Sequence, residues 1–239
     1  MSIFYYKIFS ISIVLYLIST LPGSSQNLNT VLSNYEKKNN ISKRKELLSV
    51  QYSGIRTINN DYNFNVIINN KGQYRCVTII DGKEYIELFD GSNGWIINPF
   101  SNNNTKQKLE STSLDYIQMS ELSDLEGLLV NHEQKGITIN YLDVTEIEDN
   151  NFFKLQIITR DENKIYYYIG TNDYLIWQKD YLVAHPDSFV KVIINKYIYK
   201  DGLYFSGIIE TIKNGKRLNT IIIDEIKLNP DYDESKFSM

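Results

Sequence analysis

Two histidines, one cysteine and a scatter of carboxylates are the residues with chemical potential in this 239-residue chain. His132 and His185 each stand alone, with no carboxylate or second histidine at the spacing of a metal ligand set. His185 precedes Pro186 in a turn-forming stretch, the usual setting of a solvated imidazole. Glu146 and Glu148 lie two apart, which on a strand places both on one face, a solubilising edge more than an acid–base pair. Cys76 is the single cysteine, so no internal disulfide can form, and within QYRCVTII it reads as a small buried side chain of a strand. Asp90-Gly91-Ser92-Asn93-Gly94 is glycine-rich but leads into a strand, so it cannot aim a helix N-terminus at a phosphate. No nucleophile elbow, zinc-protease helix motif or phosphate loop occurs. The expectation is a protein that binds and does not catalyse, with no metal and no cofactor.

Composition narrows what it binds. The chain is 42% hydrophobic and 23% charged with a net charge of -4, enough apolar residues for a core and no basic stripe for nucleic acid. The N-terminus carries Lys7, an apolar run from Ile8 to Leu21, and then Pro22-Gly23-Ser24-Ser25. That order predicts a signal peptide over residues 1–25 with cleavage between Gly23 and Asn27, the alternative being a retained anchor. Residues 26–239 read as one domain, since no linker or composition shift divides them.

Within that domain the hydrophobic period changes three times. Leu28, Val31, Leu32 and Tyr35 recur at helical spacing, and YNFNVIINN then alternates at period two. Hairpin signals at Asn70-Lys71-Gly72 and Asp81-Gly82 separate the strands that follow. From about Ser113 the helical period returns: Leu114, Ile117, Leu122, Leu125, Leu128 and Leu129 fall largely on one face. Ser123 and Glu126 have capping-box spacing, which predicts a second short helix near Asp124. Short strands divided by turns then run almost to the end, about eleven in all, an antiparallel, mainly β pattern. KIYYYIG, FVKVIINKYIY and NTIIIDEI are apolar on both faces. Either a second layer covers both sides, or one concave face is lined for an apolar ligand.

One stretch is more particular. Asp90-Gly91, followed by Trp95-Ile96-Ile97-Asn98-Pro99-Phe100, resembles the D-G…W-x-x-N-P-F segment of the periplasmic lipoprotein carrier LolA and its outer-membrane lipoprotein-sorting relatives. The order of elements is similar too: signal, helix, strands, this hairpin, helical insert, long meander. The resemblance implies an unclosed antiparallel β-barrel with the N-terminal helix and the insert as lid, a periplasmic location, and an apolar cavity for acyl chains of lipoproteins or other lipids. It further implies a monomer that meets an inner-membrane donor and an outer-membrane acceptor protein. The residues it places at cavity and lid are Phe64, Val66, Tyr74, Trp95, Ile97, Phe100, Leu122, Leu125, Leu128 and Leu129. The carriers also hold their lid with an arginine before a proline, where this chain has Ile68-Asn69-Asn70-Lys71-Gly72. A regulatory or interaction module on the same fold, without cargo, is the alternative.

Overall fold

Asn27 opens the first helix: its side-chain oxygen accepts the Thr30 amide at 2.9 Å, satisfying one of the free amides of the helix start. The structure, a computed structural model, describes residues 27–101, 106–109, 125–184 and 187–237. Helix α1 (Leu28–Lys38) turns Val31 and Tyr35, one helical turn apart, to the same side, where both are buried. Asn40, at a φ of 47°, breaks the helix and starts the single turn of α2 (Ile41–Arg44).

Strands follow in chain order: β1 (Ser49–Thr57), β2 (Asp61–Asn69), β3 (Tyr74–Ile80), β4 (Lys83–Phe89), β5 (Gly94–Ile97) and β6 (Lys106–Lys108). After a connection come β7 (Thr138–Ile147), β8 (Asn150–Ile158), β9 (Lys164–Gly170), β10 (Ile176–Ala184), β11 (Asp187–Lys200), β12 (Leu203–Lys213) and β13 (Lys216–Leu228). Asp81-Gly82, Asp201-Gly202 and Asn214-Gly215 all have positive φ at both positions, the hairpin turn whose twist matches the strands it joins.

The thirteen strands among the described residues form one antiparallel sheet in the order β6-β5-β4-β3-β2-β1-β13-β12-β11-β10-β9-β8-β7. The first and last strands pair in the middle, while β6 and β7 are the two edges, so the sheet is an unclosed barrel. One face, here the inner face, carries a continuous core: Val50 and Tyr52 of β1 pair with Ile68 and Val66 of β2, and Ile226 of β13 lies opposite Tyr52. Val31 and Tyr35 of α1 join this cluster, so the helix lies against the inner face.

The expected architecture holds, with more strands and a different insert. Two of the thirteen strands, β1 and β6, have no counterpart in the sequence-based expectation. β6 is three polar residues and shows no period. In β1 the inward positions read Val50, Tyr52, Gly54, Arg56, so the apolar alternation stops halfway. The insert departs further. Residues 110–124, including Ser113, Leu114, Ile117, Leu122 and the capping Ser123, lie outside the described residues, as do His185 and Pro186. Residues 125–136 form successive turns and not the predicted helix. Gly127 at φ 76° and Asn131 at φ 53° put left-handed backbone where a helix would need to continue.

Candidate functional site

β6 ends at one edge of the sheet and β7 begins at the other, so the chain between them must pass from edge to edge. Its described part, residues 125–137, lies over the inner face: Leu125, Leu129 and Val130 are 6%, 2% and 0% exposed and belong to the core cluster. Three side chains tie this segment down. Arg44 Nη1 of α2 donates to the Leu125 carbonyl at 3.4 Å, and Lys45 Nζ reaches Asn131 Oδ1 at 3.2 Å. Lys135 Nζ donates to the Gly127 carbonyl at 3.0 Å within the segment. Arg44 also donates to the Tyr204 carbonyl of β12 and stacks over Phe205, joining α2, segment and sheet at one point. An arginine therefore does hold the covering chain, from the helix rather than from the end of β2.

Strand register decides which expected site residues meet. Phe64 and Val66 of β2 and Tyr74 of β3 share the inner face with Leu125 and Leu129, and Leu128 packs against the same cluster. Trp95 and Ile97 are corrections. Val66 pairs with Cys76, Cys76 with Glu87, and Glu87 with Ile96, so it is Ile96 that faces inward. Trp95 pairs with Leu88 and Ile97 with Ile86 on the outer face, where Lys106 Nζ sits 4.4 Å from the Trp95 ring centre. Side chains one apart on a strand point to opposite faces, and the run Trp95-Ile96-Ile97 is apolar at both parities. Phe100 lies past the strand, 48% exposed beneath Lys83, and Leu122 falls outside the described residues.

The inner face is not uniformly apolar. Arg56 Nη1 donates to Glu87 Oε2 at 2.9 Å, with side chains 14% and 22% exposed. The Glu87 row runs through Cys76 and Val66 to Tyr52, four residues before Arg56 on β1. On a flat sheet their Cα atoms would be about 19 Å apart, three strand spacings across and four residues along. Two extended side chains and the bond between them span only about 15 Å. The sheet must therefore curl over its inner face, and this pair braces the hollow diagonally. Gly54, between Tyr52 and Arg56 on that face, leaves room for the guanidinium to fold back toward Phe64, 6.0 Å from its ring centre. No larger residue fits there, because a β-bulge in β13 brings the Ile222 carbonyl within 1.9 Å of where a Cβ would stand.

The surroundings support the charge. Burial works against the Arg56 guanidinium, yet the Cys76 thiol, the Glu87 carboxylate and the Tyr74 hydroxyl hold its pKa above the ordinary arginine value. Burial pushes the Cys76 thiol up, and does the same to the Tyr85 hydroxyl with help from Glu87. Among the described residues two polar atoms here are buried without a hydrogen-bond partner, Arg56 Nε and Asn219 Oδ1. Asn219 pairs with Thr211, two residues from Ile221, which pairs with Arg56. Neither Arg56 nor Glu87 stood out in the sequence; the one signal is parity, since Arg56 keeps step with Val50 and Tyr52.

No protein-family model and no curated protein sequence matches the chain. Solved structures do match in shape. A domain from Vibrio parahaemolyticus assigned to outer membrane lipoprotein sorting superposes with a TM-score of 0.62 at 11% identity, over 89% of this chain and 97% of that one. A LolA superfamily protein from Nitrosomonas europaea gives 0.60 at 11% identity, over 87% and 97%. The fold is LolA-like. A DUF1329 family protein from Desulfovibrio piger shares it, with a TM-score of 0.61 at 10% identity over 87% and 97%.

Other polar groups on this LolA-like sheet are satisfied locally. In the Asp90–Gly94 turn, Asp90 Oδ1 accepts the amides of Ser92 and Asn93 at 2.8 and 2.7 Å, so those donors already face an anion of the chain's own. On the outer face Asp180 accepts from the Tyr168 hydroxyl at 2.9 Å and from Gln178 Nε2 at 2.8 Å. Burial and that bond to Asp180 push the Tyr168 hydroxyl up, which suits a brace between β9 and β10 and not a proton donor. No group of His, Cys, Asp and Glu among the described residues is arranged to hold a metal.

Proposed function

We propose that this protein binds and carries acylated molecules, lipoproteins foremost, across the periplasm, sheltering their chains between the inner face and the segment that crosses it. The observation that carries this reading is the unpaired relation of β6 and β7. An apolar face that a second sheet covered would stay shut. Here it lies under one helix and a turn-rich segment held by a few side-chain bonds and three buried apolar residues. Such a cover opens at far lower cost than a strand pair, and a carrier must open to load and release. Each buried methylene contributes about 0.8 kcal/mol, so a long acyl chain supplies ample drive to displace it. On this reading an inner-membrane donor loads the protein, an outer-membrane acceptor empties it, and no catalysis is involved.

The test is mass spectrometry of organic extracts from the protein purified out of its native envelope, paired with displacement of a fluorescent acyl probe. Co-purifying acyl species that displace the probe support the carrier reading. A protein that brings none and never binds the probe refutes it. That outcome would favour an interaction module on the same fold, a reading supported by Trp95 and Ile97 on the outer face, which also carries Ile79, itself 39% exposed.

A further inference from the structure

The Arg56–Glu87 brace leaves donors unused. Among the described residues the guanidinium makes one hydrogen bond, through Nη1, while its buried Nε has none. A guanidinium presents its N–H groups as a planar fork that matches two oxygens of one anion. Nearby on the same face, Asn219 Oδ1 is a buried acceptor without a donor among the described residues. Leaving such atoms unpaired costs stability, and the cost is recovered if a ligand pairs them. Around them the inner face continues as hydrocarbon: Phe64 beside the guanidinium, Ile221 opposite it, then Val66 and Tyr52.

We propose that Arg56 and Asn219 form a head-group subsite for an amphiphile with an oxyanion head, whose acyl chain runs from there along the apolar inner face. The oxyanion takes the free edge of the guanidinium, and a hydroxyl on the head donates to Asn219 Oδ1. Glu87 is the resting counter-ion: it keeps Arg56 neutralised when the face is empty and shares it when the ligand arrives. This rests on the acyl-binding reading and adds acidic single-chain lipids to the ligands that face takes. Carboxylate and phosphate heads share the required chemistry, and Asn219 separates them, since a lysophosphatidate carries a glycerol hydroxyl and a fatty acid does not.

The experiment titrates the lipid-stripped protein with palmitate, palmitoyl lysophosphatidate and neutral monopalmitoylglycerol below their micelle concentrations. Wild type should prefer the oxyanion heads over the neutral one by at least about tenfold, the worth of one charge-assisted pairing. The double variant Arg56→Met with Glu87→Leu should lose that preference, binding lysophosphatidate at the neutral lipid's affinity and palmitate no tighter than either. Glu87→Gln, which keeps the shape and removes the competing charge, should raise affinity for both oxyanion lipids several-fold. Asn219→Leu should weaken lysophosphatidate and spare palmitate. Equal affinity for the three lipids in wild type, or no change in Glu87→Gln, overturns the subsite while leaving acyl binding intact. No binding of any lipid overturns the acyl-binding reading itself. A double variant that fails to fold leaves Glu87→Gln and the wild-type preference to decide.

Discussion

Arg44 and Leu125, eighty-one residues apart in the chain, are joined by a hydrogen bond from guanidinium to backbone carbonyl. That bond is where the N-terminal helical region takes hold of the segment crossing the inner face. Replacing Arg44 with Met should therefore loosen the segment more than the sheet. Hydrogen exchange should speed up over residues 127–136 while amides of β8 and β9 keep their protection. Unchanged exchange would show that Leu125 and Leu129 hold the segment by burial alone.

Leu125 and Leu155 are both buried, one in the covering segment and one in the sheet. Leu155→Ala removes side-chain volume from a rigid surround and should cost about 2–5 kcal/mol. Leu125→Ala should cost less, because a segment without strand pairing can settle into the space. Urea denaturation of the two variants measures the difference. Equal losses would make the segment ordinary core, with nothing poised to open.

Arg56 and Glu87 give a double-mutant cycle. Glu87→Leu strands a guanidinium in a place with little water, and should cost about 2–4 kcal/mol, somewhat below a fully buried pair because both side chains are still partly wetted. Adding Arg56→Met should return most of that loss, since an apolar pair of similar volume satisfies the site. If the double variant is no more stable than the single, the pair has no coupling and the sheet curls without it.

Cys76 is fully buried beneath this pair, with Thr78 Oγ1 3.8 Å from its sulfur, and burial holds the thiol above its ordinary pKa. Little thiolate forms and none is accessible, so a thiol reagent should label native protein far more slowly than denatured protein. Rapid native labelling would mean that the inner face opens at this end without a ligand.

Trp95 is on the outer face, so iodide quenching of its emission in a Trp177→Phe background should not change when an acyl probe binds inside. Protection on binding would place the ligand on the outer face and remove the inner site.

Much of this fold is legible in the sequence because its signals are local. Period-two alternation in residues 61–69 and the Asp-Gly and Asn-Gly turns specify hairpins through sterics within a few residues. Phe64 and Val66 could be placed on one face of a strand for the same reason. β1 could not be read, since Gly54 and Arg56 occupy inward positions for reasons found on other strands: the bulge in β13 and the carboxylate on β4. The covering segment had leucines at helical spacing, yet its backbone follows the demands of reaching from one edge to the other. Trp95 shows the limit most plainly. Alternation along a strand separates its residues into two sets but does not say which set faces in. That choice is made by the direction in which the sheet curls and by what covers it, and both depend on residues far away in the chain.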